Sequence, residues 1–89
     1  MEIEKTKAII QAILFAAGRE VKIEEFMSVL ELGKEELISI IESLSSDLKS
    51  TSSGIEIVKL QDSYQLCSKK EYYEYIYPVF DKRNKPNLS

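Results

Sequence analysis

The chain has 89 residues, of which 44% are hydrophobic and 30% are charged, and its net charge is −3. This composition suits one small globular domain and excludes the polar, highly charged class of disordered chains. Residues 1–50 hold six Lys or Arg against ten Asp or Glu, so the N-terminal half repels polyanions such as nucleic acids.

Cysteine content and hydropathy predict the cellular setting. The single cysteine, Cys67, excludes an intramolecular disulfide, and the first residues lack the basic start and apolar run of a signal peptide. The longest strongly apolar stretch, residues 8–17, contains Gln11 and is far shorter than the ~20 residues that span a bilayer. We therefore expect a cytoplasmic protein outside the membrane, with Cys67 as a small buried hydrophobic residue in a strand.

Three helices are predicted in the first half of the chain. Apolar residues at helical spacing indicate a first helix over residues 6–17, with Gly18 as its left-handed C-terminal cap. An extended piece at 20–23 precedes a short amphipathic helix at 24–30, and Gly33 is expected to end that unit with a tight turn. The third helix has the clearest aliphatic stripe, formed by Leu37, Ile38, Ile40, Ile41, Leu44 and Leu48.

A β-hairpin is predicted next, after the flexible serine-rich stretch 50–54. Its strands are residues 55–60, which are rich in β-branched side chains, and residues 64–68, joined by the three-residue connection 61–63. The element order of helix, short strand, helix, turn, helix and hairpin is that of a winged helix-turn-helix. The predicted fold class is therefore α+β, mainly α-helical with a small β-hairpin.

A fourth helix is predicted near Lys69. Ser68 and Glu71 have the spacing of a capping box, in which each side chain accepts a hydrogen bond from the other residue's backbone amide. Pro78 lacks an amide hydrogen, so it is expected to kink or end this helix.

Several segments in the right order resemble segregation and condensation protein B. Residues 13–18, Ile-Leu-Phe-Ala-Ala-Gly, are similar to the Leu-Phe-Ala-x-Gly end of that family's first helix. The resemblance continues through "ELGKEELISIIESLSSDL" and "GIEIVKLQDSYQLCSKKEY" to "KPNLS", which in the family leads into a second winged-helix domain. It implies a winged-helix domain over residues 1–80 and a linker over residues 81–89, toward a second domain that this chain does not contain.

The resemblance also implies a function. Members of this family are non-enzymatic scaffold subunits of the bacterial SMC condensin complex, which acts in chromosome condensation and segregation on the nucleoid. They form homodimers through the N-terminal domain and bind the kleisin subunit ScpA, mainly through the C-terminal domains, and through it the SMC ATPase. Because the second domain is missing, whether this chain alone binds the kleisin stays open.

The first predicted helix is apolar around most of its circumference. Ala8, Ala12 and Phe15 lie outside the main apolar sector, so they need a second cover. Either the fourth helix of the same chain covers them or another subunit does, and a twofold dimer would present the same patch on both partners.

The fourth helix is crowded with tyrosines, at positions 72, 73, 75 and 77, which cannot all face one core. Either two of them belong to the core, or one pair faces a partner protein, because tyrosine is enriched at interfaces. The candidate interface residues are Ala8, Ala12, Phe15, Tyr73, Tyr77 and Phe80.

A winged-helix transcription regulator is the alternative function, with the third helix in the DNA major groove. The N-terminal end of that helix reads Lys34-Glu35-Glu36 and its outer face carries Ser39, Glu42, Ser43 and Ser46, which offers little to phosphates or bases. A weak basic patch is left, formed by Lys69, Lys70, Lys82, Arg83 and Lys85. We therefore expect no specific DNA binding.

Enzymatic chemistry has no support in the sequence. The chain has no histidine, no glycine-rich phosphate loop and no spacing typical of metal ligands. We expect no catalytic residue, no cofactor and no metal site.

Overall fold

Three helices, a small sheet and a terminal helix follow one another in residues 2–80, the part of the chain that this computed structural model describes. The elements are α1 (Ile3–Ala17), β1 (Val21–Lys22), α2 (Ile23–Leu30), α3 (Lys34–Ser50), β2 (Ile55–Leu60), β3 (Ser63–Ser68), a 3₁₀ turn (Lys70–Tyr72) and α4 (Tyr73–Phe80). The antiparallel sheet has the order β1-β3-β2. The predicted α+β winged-helix fold is confirmed, and the β2–β3 hairpin is its wing.

Helix α1 ends where the sequence predicts. Gly18 has a φ of 62°, the left-handed conformation that glycine adopts without steric cost, and its amide donates to the carbonyl of Leu14 at 3.4 Å. The helix begins at Ile3, three residues earlier than predicted, and the hydroxyl of Thr6 donates to the carbonyl of Glu2 at 3.0 Å.

The turn between α2 and α3 differs from the prediction. The left-handed residue is Glu31, with a φ of 55°, whereas Gly33 is extended, with φ −71° and ψ 157°, and directly precedes α3. A left-handed non-glycine residue costs about 1–2 kcal/mol. The turn nevertheless falls at Glu31, because it lets Leu32 pack, half-buried, against the core.

The wing has a shorter connection than predicted. Ser63 belongs to β3, where it pairs with Leu60 and Lys22, so only Gln61 and Asp62 join the two strands. Ser63 is 1% exposed, and its hydroxyl donates to Glu20 at 2.7 Å. This pairing with β1 arises from tertiary structure, which the local sequence pattern does not encode.

The predicted capping box at Ser68 is wrong. Strand β3 extends through Ser68, which pairs with Ile55, and the amide of Lys69 donates to the carbonyl of Gly54 at 2.9 Å. Sheet pairing at this point takes precedence over the local capping signal, and the chain enters a 3₁₀ turn instead. Helix α4 then continues through Pro78 to Phe80, so it does not end at the proline.

The core lies between helices α1–α3 and the inner face of the sheet. Ile10, Phe26, Leu37 and Ile41 are 0% exposed, and burying one such side chain contributes about 1.5–3 kcal/mol to stability. The predicted stripe of α3 is confirmed, because Leu37, Ile40, Ile41, Leu44 and Leu48 are buried and Ile38 packs against the core. Helix α4 contributes no buried residue.

Two polar contacts fix the helices relative to one another. Lys7 donates to Asp47 at 2.8 Å, which ties α1 to α3, and this hydrogen bond raises the pKa of Lys7 above its ordinary value. Arg19 contacts Glu25 at 3.2 Å, and Glu25 also accepts the backbone N–H of Lys22 at 2.9 Å at the start of α2. The hydrogen bond from Arg19 lowers the pKa of Glu25 below its ordinary value of 4.5.

Candidate protein interface

The outer face of α1 carries an uncovered apolar patch. Ala8, Ala12 and Phe15 share this face at 100° per residue, and all three are exposed, with Phe15 at 79%. The opposite face of the helix is buried through Ile10 and Leu14. Of the two alternatives raised by the sequence, cover by the chain's own fourth helix is therefore wrong.

Helix α4 leaves most of its apolar surface in solvent. The large side chains of Tyr75, Tyr77, Val79 and Phe80 are 69%, 61%, 65% and 78% exposed. Tyr73 is half-buried and packs on Tyr77, with ring centroids 5.5 Å apart and planes tilted by 37°. The alternative in which two tyrosines join the core is wrong, because Tyr72 and Tyr73 are only half-buried and no residue of α4 is buried.

The six candidate interface residues thus occupy two separate helices. Ala8, Ala12 and Phe15 lie on α1, whereas Tyr73, Tyr77 and Phe80 lie on α4. Within residues 2–80, α4 packs mainly on the 3₁₀ turn that precedes it, and it does not form a packed pair with α1. The structure therefore presents two uncovered apolar surfaces, named here the α1 face (Ala8, Ala12 and Phe15) and the α4 surface (Tyr73–Phe80).

The surface that reads DNA in many winged-helix proteins is poorly suited to that task here. The N-terminal end of α3, Lys34-Glu35-Glu36, is exposed, and so are Ser39, Glu42, Ser43 and Ser46 along its outer face. The wing tip consists of Gln61 and Asp62, which add no positive charge. Major-groove readers carry basic or amide side chains at the N-terminal end of the reading helix, where α3 has two glutamates.

The basic patch is reduced where the structure describes it. Lys69 is half-buried, and its ammonium group donates to the carbonyl of Leu48 at 3.0 Å, so it satisfies the C-terminal end of α3. Lys70 is exposed. Lys82, Arg83 and Lys85 lie outside the described residues.

Two kinds of site are absent from residues 2–80. No group of three or more His, Cys, Asp or Glu side chains in this range could hold a metal ion. None of the helices in the same range is both long enough and apolar enough to cross a bilayer. Cys67 lies in β3 as predicted, but it is half-buried rather than buried.

The amino-acid sequence is similar to one family of known proteins. The family model for segregation and condensation complex subunit ScpB matches residues 8–89. Segregation and condensation protein B of Clostridioides difficile is 33% identical over 91 residues, which cover 100% of this chain and 51% of that protein. The corresponding protein of Bacillus pumilus is 35% identical over 86 residues, covering 96% of this chain and 44% of that protein. The chain thus spans about half the length of these relatives.

Two crystal structures are similar to this one. The first is a dimer of the ScpB N-terminal domain complexed with an ScpA peptide. Its ScpB chain is 33% identical to this chain, and the two superpose with a TM-score of 0.81 over 86% of this chain and 96% of that chain. ScpB from Mycobacterium tuberculosis has a TM-score of 0.86 at 12% identity, covering 100% of this chain and 56% of that chain, and supports the fold alone. The sequence match over residues 8–89 and the shared fold lead to one assignment: the chain belongs to the ScpB family of segregation and condensation complex subunits.

Proposed function

We propose that this chain is a non-enzymatic scaffold subunit of the bacterial SMC condensin complex, which forms a homodimer and supports binding of the kleisin ScpA. Family membership supports the complex, and the similar crystal structure of an ScpB N-terminal domain is a dimer with an ScpA peptide. The observation that carries the dimer for this chain is the pair of uncovered apolar surfaces on α1 and α4.

The α1 face has the form of a helix-packing surface. Phe15 projects a large ring that is 79% exposed, and the small side chains of Ala8 and Ala12 beside it let another helix approach closely. In a dimer with twofold symmetry, this face meets its own copy, so a single contact covers the apolar patch of both protomers.

The α4 surface needs a partner for a different reason. Isolated helices shorter than about 12–15 residues are marginal in water, and α4 has only eight residues in the described chain. Its Tyr77 and Phe80 are mostly exposed, so the domain's own core does not stabilise the helix. Burial of these rings against a second copy would supply the missing stabilisation.

The mass of the chain in solution tests the dimer. Light scattering after gel filtration should give twice the monomer mass of 10.2 kDa at about 50 μM, a concentration typical for weak to moderate association. Phe15→Glu should reduce the mass to that of the monomer, because a charge would be buried in the interface. Val29→Glu is the matched control, since Val29 is also an exposed apolar residue, 66% accessible, on α2.

A monomeric wild-type chain at this concentration would contradict the dimer proposal. A Phe15→Glu variant that stays dimeric would contradict the α1 face as the contact between the two copies. Circular dichroism of both variants separates loss of association from loss of folding.

Binding of ScpA tests the second part. The ScpA subunit encoded in the same genome should co-purify with the chain. The SMC protein should co-purify with the chain only when ScpA is also present. The chain alone should hydrolyse no ATP, and anisotropy of a labelled DNA duplex should show no sequence-dependent binding near physiological salt. Because the chain belongs to the ScpB family, we also propose that it acts on the nucleoid, in the cytoplasm.

The domain boundaries belong to the proposal as well. Residues 1–80 form the winged-helix domain, and residues 81–89 connect it to a second winged-helix domain in the longer gene product. The length of the relatives, about twice that of this chain, supports this arrangement. The coding sequence after Ser89 tests it, because a second winged-helix pattern is expected there.

A further inference from the structure

The tip of the wing is folded back onto the segment that joins α1 to α2. Ser63, the first residue of β3, pairs with Lys22 of β1, and its hydroxyl donates to the Oε1 atom of Glu20 at 2.7 Å. One residue earlier, the carbonyl of Asp62 accepts the backbone N–H of Ile23 at 2.9 Å. The turn of the hairpin is therefore bound to the body of the domain by a side chain and by the main chain.

Ser63 makes its contact from a buried position. It is 1% exposed, and its hydroxyl donates to no other group of residues 2–80. A hydrogen bond to a carboxylate is roughly twice as strong as one between neutral groups. Because a buried hydroxyl without a partner is costly, loss of the Glu20 acceptor would favour a conformation in which Ser63 reaches water. The contact therefore holds the wing tip closed.

The segment that contacts the tip is itself fixed. Val21 and Ile23 are 3% and 1% exposed in the core, and Glu25 accepts the backbone N–H of Lys22 at 2.9 Å. Glu20 directly precedes these residues, so its backbone is held in place although its side chain is exposed. The wing tip is thus bound to a rigid part of the domain.

The two ends of the hairpin have separate contacts. A two-stranded hairpin is marginally stable on its own in water, and β1 adds only two residues to the sheet. At the base, the N–H of Lys69 donates to the carbonyl of Gly54 at 2.9 Å, far along the strands from the tip. Opening of the tip therefore does not require opening of the base.

We propose that the hydrogen bond between Ser63 and Glu20 is a latch for the wing tip. When it is closed, it keeps the turn against residues 20–23, and when it breaks, the turn is released while the base of the hairpin stays paired. Asp62 and Tyr64, on either side of Ser63, line a cavity of about 260 Å³ between the hairpin and α3, so the latch sets how far this cavity opens. Neither Ser63 nor Glu20 belongs to the α1 face or the α4 surface, so the latch is independent of the proposed dimer.

Amide hydrogen exchange of the 89-residue chain tests the latch at a single residue. Ile23 is the first residue of α2, so its N–H has no acceptor within the helix, and its protection depends on Asp62. Ser63→Ala and Glu20→Ala should each speed exchange of this N–H about tenfold or more, because each removes a hydrogen bond to a charged group. Exchange of the N–H of Lys69 should stay unchanged in both variants.

Two further variants make the test specific. The double variant with Ser63→Ala and Glu20→Ala should speed exchange at Ile23 no more than the single variants do, because both changes remove the same bond. Ser68→Ala is the matched control and should have no effect at Ile23, since Ser68 is exposed at the other end of β3.

Three results would overturn the latch. The first is exchange at Ile23 that is the same in the wild type, Ser63→Ala and Glu20→Ala. The second is an equal loss of protection at Ile23 and Lys69, because the bond would then stabilise the whole hairpin rather than its tip. The third is an additive effect in the double variant, because the two side chains would then act through different contacts.

Discussion

The first three helices with their sheet differ from the terminal helix α4 in how far their apolar side chains are buried. In the former, apolar side chains such as Phe26 and Leu37 are 0% exposed, and each helix has one buried stripe. In α4, apolar side chains such as Tyr75 and Phe80 are 69% and 78% exposed, and none is buried. The comparison teaches that the domain's own core stabilises the first region, whereas α4 depends on contacts outside that core.

A pair of phenylalanine substitutions tests this contrast with the largest expected effect. Phe26→Ala should lower the free energy of unfolding by about 3–5 kcal/mol, because it leaves a cavity in the core. Phe80→Ala should change it by no more than about 0.5 kcal/mol at a concentration where the chain is monomeric, since Phe80 is exposed. Urea denaturation measures both. A cost for Phe80→Ala comparable to that for Phe26→Ala would mean that α4 belongs to the core.

Backbone substitutions sharpen the contrast with a smaller effect. Gly18→Ala should cost about 1–2 kcal/mol, because an alanine at a φ of 62° is strained although its Cβ meets no neighbour within 4 Å. Pro78→Ala should leave the free energy of unfolding of the monomer unchanged within about 0.5 kcal/mol, although it favours α4 locally. Thermal unfolding at low concentration distinguishes them, and a large gain from Pro78→Ala would show that α4 unfolds together with the core.

The smallest expected effect is pH-dependent and lies at the start of α2. Glu25 has a pKa below its ordinary value of 4.5, owing first to Arg19 and then to the amide of Lys22, so its charged form stabilises the folded state. This contribution is fully present above pH 4.5 and is lost as the pH falls through the folded pKa. The stability difference between wild type and Glu25→Gln should therefore be small but measurable at pH 7 and absent near pH 2. A difference that persists in acid would contradict this origin.

The sequence predicts the features that depend on local periodicity. The α3 stripe and the cap at Gly18 follow from helical spacing and from glycine's access to positive φ, and both are confirmed. The capping box at Ser68 and the turn at Gly33 fail, because strand pairing with Ile55 and packing of Leu32 override the local signals.

The candidate site divides in the same way. The apolar excess on α1 is visible in the sequence, because helical spacing alone places Phe15 outside the buried sector. The groove between α3 and the β2–β3 hairpin, lined by Lys59 and Tyr64, has no sequence signature, since it exists only when the strand register brings these two residues together opposite α3.

Amide hydrogen exchange at two protein concentrations tests the central claim most directly. If a second copy covers the α4 surface, amides of residues 73–80 should exchange slowly at high concentration and rapidly after dilution, whereas amides of α3 should stay protected at both. Exchange in residues 73–80 that does not depend on concentration would contradict the account, because α4 would then have no partner in a second copy of the chain.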